Sequence, residues 1–251
     1  MIISFTKNFV RRFGIDVYRF YSNTNPTYRL AKGLEYFEID LVFDIGANTG
    51  QFALELRSVK YKERIVSFEP LVDAYNSLIT ASIRDPKWHI HPRTAIGDFE
   101  GEIQINIAGN SASSSVLPML NSHRLAAPNS AYIGSVNSPI SCLDNLAPEY
   151  IEKGSKNYFI KIDTQGYEWK VLNGALKTLE FARGIMCELS FVQLYEGQYL
   201  WTDVLERLES YGFTLWSLQP IFIDNKSGRV LQADGIFFKL EDLMTKQNSE
   251  L

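Results

Sequence analysis

Only two cysteines, Cys142 and Cys187, occur in the 251 residues, far apart and in apolar, strand-like runs. Two thiols build no disulfide framework, so a small stapled secreted fold is excluded and reduced, buried thiols are expected. Histidine is almost as scarce: His89, His91 and His123 share no spacing that would make a metal set. No apolar run approaches the roughly 20 residues that span a bilayer. The opening "MIISFTKNFVRRFG" places Lys7 and Arg11 where a signal peptide needs an unbroken apolar core, so export is not expected and a cytoplasmic location is. Positive charge is not in excess either. Twenty-five Lys and Arg against 29 Asp and Glu leave −4, which gives no reason to expect a nucleic-acid binder. There is no internal repeat and no linker rich enough in Pro, Gly or Ser to divide the chain.

What is present is an ordinary globular composition, 45% hydrophobic and 22% charged, long enough for one large domain. The charge is unevenly spread. Residues 1–32 carry Lys7, Arg11, Arg12, Arg19, Arg29 and Lys32 against Asp16 alone, a net +5 that leaves −9 on the rest. Such an arm reads as a helix packing Phe5, Phe9 and Phe13 on the domain with Lys7 and Arg11 outward. The alternative is a basic, aromatic segment making peripheral contact with an anionic membrane or a phosphate-linked acceptor.

From residue 41 short apolar strands alternate with amphipathic helices, the pattern of an α/β sheet with parallel strands. Strands are expected at 41–44, 64–68, 88–96, 102–107, 158–163, 184–189, 213–218 and 235–239. The helices between them show apolar faces: Phe52, Leu56 and Val59; Tyr75, Leu78 and Ile79, with Ser82; Val171, Leu172, Ala175 and Leu179; Val204, Leu205 and Leu208, ending at Gly212. The turn "GDFEG" predicts a hairpin between 88–96 and 102–107, and "DNKSG" an antiparallel pair at the end of the sheet. Residues 108–139 contain eight Ser, four Asn and three Pro, with Arg124 as their only formal charge. Their apolar punctuation, Val116 to Leu120, Leu125, Tyr132 and Ile133, argues for a packed cover over a free linker. The expected organisation is an N-terminal helical extension, 1–40, and one domain, 41–251, with an inserted hairpin and lid-like loop at about 98–157.

The chemistry is concentrated in three places. In "VFDIGANTGQFALEL" a strand ends at Asp44, and Gly46 and Gly50 turn the chain into a helix. Glycine there lets the backbone turn tightly and approach a ligand. Asp44 suits a ligand with positive charge, and the Gly-x-x-x-Gly spacing differs from the Gly-x-Gly-x-x-Gly of dinucleotide binders, which disfavours a dehydrogenase. A plain tight turn would also use these glycines. Glu69 in "RIVSFEP" ends the second strand 19 residues after Gly50, placed to accept both hydroxyls of a ribose. A helix N-terminal acid beside Pro70 is the alternative. In "KIDTQGYE", Asp163 ends a strand at the edge where open α/β sheets bind ligands, or else caps the next helix.

Taken with "TAIGDFEG", "SSSVLP", "SCLDNL", "WKVLNGALKTL" and "MCELS", these segments span about residues 41–190 and resemble the FkbM-type family of S-adenosylmethionine-dependent methyltransferases. The resemblance implies the class I methyltransferase fold: a Rossmann-like, seven-stranded, mostly parallel sheet with helices on both faces and an antiparallel C-terminal strand. It implies that Asp44, Gly46, Ala47, Asn48 and Gly50, with Asp163, surround the methionine part of S-adenosylmethionine. Glu69 and Pro70 would hold its ribose, residues 94–96 including Ala95 would lie near adenine, and S-adenosylhomocysteine would leave as product. The family's common Asp-x-Glu-Gly reads Asp-x-Gln-Gly here, so a glutamate role does not carry over to Gln165, though an amide still orients a hydroxyl.

The expected reaction is O-methylation of a hydroxyl on a sugar, glycan or natural product, with no nucleic acid involved. An alcohol needs a base, and Asp163 and His123 are the candidates, with Gln165, Tyr167, Glu188 and Ser114 shaping the acceptor site. Asp163 and Glu188, at neighbouring strand ends, form a pair able to hold Mg²⁺, but no spacing demands a metal and none is favoured. The rival is a non-catalytic module that retains the fold, with Gln165 as the mark of a decayed site.

Overall fold

Leu41, Phe43 and Ile45 bury into one apolar layer while Val42, between them, buries into another. The same period of two recurs at Ile65 and Val66, at Phe159 and Ile160, and at Ile236 and Phe237. Both sheet faces are therefore apolar and both must be covered, as a mostly parallel sheet requires.

The computed structural model describes residues 23–151 and 157–240, with 9, 11–13, 15 and 21 before them. Its strands are β1 (Leu41–Ile45), β2 (Arg64–Phe68), β3 (Trp88–Ile90), β4 (Ala95–Ile96), β5 (Gly101–Ala108), β6 (Tyr132–Ser141), β7 (Tyr158–Ile162), β8 (Gly184–Ser190), β9 (Phe213–Ile223) and β10 (Val230–Lys239). Seven form one sheet in the order β3-β2-β1-β7-β8-β10-β9, parallel except where β10 pairs antiparallel with β8 and β9. This is the class I methyltransferase arrangement. The strands β4, β6 and β5 make a second, three-stranded sheet.

Helices α1 (Pro26–Tyr36), α2 (Gln51–Ser58) and α3 (Val72–Ser82) cover one face through Leu30, Leu34, Ala53, Leu56 and Leu78. The short α4 (Asn121–Ala126) belongs to the cover segment. The other face is closed by α5 (Leu143–Tyr150), α6 (Glu168–Asn173), α7 (Leu176–Phe181) and α8 (Trp201–Ser210), through Leu143, Val171, Leu172, Leu179, Val204 and Leu208. The start of α1 is set locally: the Asn25 side chain accepts the Tyr28 N–H at 2.7 Å, with Pro26 at the first helical position. Residues before β1 are part of the core, since the Phe37 ring stacks on Phe238 at 4.0 Å.

Several expectations are corrected. The segment 88–96 is two strands in different sheets, because Pro92 between them has no N–H for a ladder. "GDFEG" closes no hairpin. β5 pairs instead with β6, from Gly101 opposite Ile140 to Ala108 opposite Tyr132, and β4 joins the other side of β6. β6 was hidden because Ser, Asn, Gly and Pro dominate it and much of it is exposed. The buried side of α3 is Ala74 and Leu78, with Ile79 outward. The terminal antiparallel pair forms and is longer than expected, and Gly212 ends α8 with φ +82°. Cys142 and Cys187 are free thiols. Phe9 and Phe13 are exposed and pack on each other at 5.5 Å, while Phe5 and Lys7 lie outside the described residues. Among the described residues no helix is long and apolar enough to cross a membrane.

Candidate active site

After β1 the chain moves through β2 to β3, and β7 later pairs on the opposite side of β1. That reversal opens a crevice at the carboxyl ends of β1 and β7, the place where open α/β sheets bind ligands. Gly46 sits at its apex with φ +75°, and a Cβ there would stand 1.9 Å from the carbonyl oxygen of Asp163. The two strand ends approach this closely only because residue 46 is glycine. Gly46→Ala is expected to cost about 1–3 kcal/mol for the backbone conformation alone, before the clash is added. Thermal unfolding of the variant checks this.

A cavity of about 330 Å³ occupies the crevice. Along it lie Gly46, Ala47 and Asn48 from the turn, Glu69 and Pro70 after β2, Thr94, Ala95 and Ile96, part of the cover segment including Ser114, and Asp163, Gln165 and Tyr167. Most of the site residues expected from the sequence therefore lie on this wall.

Glu69 is nearly fully buried. Its Oε2 accepts the Asn48 N–H at 2.7 Å and its Oε1 the Leu71 N–H at 2.8 Å, so it ties the glycine turn to the start of α3. Burial pushes its pKa up to about 7, against the lowering effect of the Leu71 and Asn48 N–H groups. Each oxygen still has a lone pair for a hydroxyl from the cavity.

Two members of the turn are corrected. Asp44 is fully buried and is not on the cavity wall. Its partners are Lys161 Nζ at 3.1 Å and the Ser67 hydroxyl at 3.0 Å, so its charge is met inside the protein and not by a ligand. Gly50 is likewise off the wall and caps α2 with φ +92°; a Cβ there would meet the Trp88 ring at 2.6 Å, so it is a packing glycine.

Lys161 is the feature sequence reasoning missed, although a lysine inside the otherwise apolar "YFIKI" was a usable signal. Only 3% exposed, it reaches the carbonyl oxygen of Gly46 at 2.9 Å and Asp163 Oδ2 at 3.5 Å. Burial disfavours its charge, but Asp44 and Asp163 outweigh that and hold its pKa above the ordinary lysine value.

Asp163 lines the cavity with its side chain 39% exposed. It caps no helix, since α6 starts at Glu168 after Tyr167. Gln165, at φ +54°, donates its amide to Asp163 Oδ1 at 2.8 Å and Glu188 Oε1 at 3.1 Å, and accepts the Tyr195 hydroxyl at 3.0 Å. The two carboxylates considered for Mg²⁺ are thus bridged by an amide. Among the described residues, no group of three His, Cys, Asp or Glu side chains is placed to hold a metal ion. Glu188 lies behind the wall, takes a second amide from Gln232 at 2.6 Å, and has its pKa driven well up by burial and then by Asp163 and Glu168. Its assignment to the acceptor is corrected to support of Gln165.

Tyr167 packs with Leu71, Ala95, Ile105 and Ile140, an apolar patch beside Thr94 and Ala95. Ser114 accepts the Ala108 N–H at 3.0 Å while lining the cavity. His123 does not line it. It is buried on α4 between the rings of Tyr195 and Phe222, with no hydrogen-bond partner for Nδ1, and burial lowers its pKa to about 4. Its place off the cavity wall argues against the base role expected of it.

His123→Leu is therefore expected to leave cavity chemistry intact. As pH falls from about 6.5 to 4 the unfolded chain binds a proton that the folded imidazole refuses, so stability drops across that window. The leucine variant should lose less stability than the wild type there, which thermal melts at several pH values would show.

The methyltransferase FkbM domain family matches residues 44–215. The chain belongs to the FkbM methyltransferase family. A curated relative, the hexuronic acid methyltransferase AglP of Haloferax volcanii, is 25% identical over 154 residues. That match spans 61% of this chain and 56% of AglP's length. Among solved structures, the fibrillarin of Aeropyrum pernix with natively bound S-adenosylmethionine aligns at TM-score 0.42 and 10% identity, over 79% of this chain and 66% of that one. An rRNA methylase from Streptococcus thermophilus aligns at 0.44 and 11%, over 86% and 97%. The FkbM match covers β1 through the start of β9 and thus the whole crevice except the residue that β10 contributes, Asp234.

Proposed function

We propose that this FkbM-family chain transfers a methyl group from S-adenosylmethionine to a hydroxyl of a sugar or sugar-containing natural product. The observation that carries the proposal is the cavity's charge: Glu55, Glu69, Asp163 and Asp234 face it against Lys161 alone, a match for a sulfonium cation. When bound, the donor supplies a methyl group already activated by that positive sulfur.

The chain's own part is alignment and proton handling. Glu69 accepts the ribose hydroxyls. Phe68, Leu71 and Ile96 offer apolar walls for the base. Asp163, oriented by Gln165 and Lys161, is the wall carboxylate assigned to take the acceptor's proton. The cover segment brings Ser111, Ser114 and Ser115 to the cavity without charge, which suits sugar hydroxyls. AglP's name ranks hexuronic acids first among the acceptors to try. Gln165 satisfies three side-chain hydrogen bonds, which supports an organised site over a decayed one. The net +5 of residues 1–32 and the exposed Phe9 and Phe13 suit a phosphate-linked acceptor or an anionic lipid surface.

The test incubates the full chain with methyl-labelled S-adenosylmethionine and a panel of glucuronides, neutral glycosides and amino sugars. Label on a sugar oxygen supports the proposal. Label on nitrogen alone, or on no sugar, contradicts it.

A further inference from the structure

Asp234 belongs to β10, outside every motif that identifies the family, yet it lines the same cavity as Gly46 and Glu69. In the β8–β10 pairing it stands opposite Glu188, at the crevice end of the sheet. Glu69, Asp44, Asp163 and Glu188 all have hydrogen bonds or ion pairs within the protein. Among the described residues, Asp234 has neither. An acidic side chain on a cavity wall with no internal partner is placed to receive a cation from outside.

The sheet order says which cation. Glu69 follows β2, and β1, β7 and β8 lie between β2 and β10. Asp234 therefore lies at the end of the cavity away from Glu69. If Glu69 holds the ribose, the opposite end takes the part of the donor furthest from the nucleoside, its amino-acid tail. We infer that Asp234 binds the α-ammonium group of the donor's methionine tail, a contact that rests on the proposed use of S-adenosylmethionine. Gln51 lines the same cavity and is the hydrogen-bond donor for the tail's carboxylate.

The charges facing Asp234 are Glu55 on α2, Lys161 on β7, Asp163 after it and Glu188 on β8. Burial, and then Asp163, push the Asp234 pKa up to about 7, with Lys161 opposing. An arriving ammonium relieves that crowding, so the tail's contribution to affinity should grow as pH rises through neutrality.

Calorimetry on the full chain separates tail from nucleoside. S-adenosylhomocysteine carries the tail, and 5′-methylthioadenosine keeps the ribose and base without it. Asp234→Asn should weaken S-adenosylhomocysteine at least 10-fold and methylthioadenosine less than 2-fold, with Asp234→Glu recovering part of the loss. Equal affinity of wild type and Asp234→Asn for S-adenosylhomocysteine overturns the inference, as does an equal loss for both ligands. If the wild type binds neither ligand, the donor itself is wrong, a failure distinct from that of Asp234.

Discussion

Glu69→Gln is expected to weaken S-adenosylhomocysteine binding about 100-fold, roughly 2.7 kcal/mol. The carboxylate has two jobs. It holds the Asn48 and Leu71 N–H groups at 2.7 and 2.8 Å, and it presents lone pairs to the ribose. A glutamine has one acceptor oxygen, so its NH₂ faces a backbone N–H and one end of the turn is displaced. Hydrogen bonds to charged groups are worth about 1.5–3 kcal/mol each, so losing one and weakening another gives the stated magnitude. The pH dependence follows in sign. Burial raises the Glu69 pKa to about 7, and hydroxyl donors favour its ionised form. Wild-type affinity for methylthioadenosine, which lacks the tail near Asp234, should therefore fall as pH drops below about 7. The Glu69→Gln variant should show no such fall. Calorimetry across about pH 6 to 8 checks both statements.

Lys161→Met is expected to lower stability by about 3–5 kcal/mol, because it leaves a charge stranded in the core. Asp44 is fully buried, and without the ammonium its remaining partner is the Ser67 hydroxyl, itself held by the Trp88 indole N–H at 2.9 Å. For a domain of this size the loss corresponds to a Tm lower by about 10 °C. The reason is specific and so is the rescue. Asp44→Asn in the Lys161→Met background should recover most of the loss, whereas a mere packing defect at residue 161 would not respond. Thermal unfolding of the two single variants and the double variant gives the coupling. A loss below about 1 kcal/mol for Lys161→Met would show that the pair is not what organises the turn.

Local pattern and burial explain which features were readable. β1, Gly46, Glu69 and Asp163 were legible because a strand end, a turn and a helix start lie within a few residues of one another. Nothing local says that Asp44 faces inward. That depends on Lys161, which comes beside it only when β7 pairs with β1. Gly50 carried the same signal as Gly46, yet one glycine makes room for the neighbouring strand's backbone and the other for the Trp88 ring. His123 lay in a serine-rich stretch that read as a cover, and the stretch does pack. What composition could not show is that packing buries the imidazole between two rings. β6 escaped because its residues have weak strand preference, and its pairing to β5 decides its conformation. Asp234 carried no motif at all. It enters the crevice through the antiparallel return of β10, a tertiary event with no local signature.

The central claim is that the crevice between β1 and β7 holds S-adenosylmethionine as methyl donor. Titration calorimetry of the full wild-type chain with S-adenosylhomocysteine tests it most directly. One site per chain is expected, lost or strongly weakened by Glu69→Gln. The contradicting result is no binding heat at any pH or temperature tried, or a site whose affinity Glu69→Gln leaves unchanged.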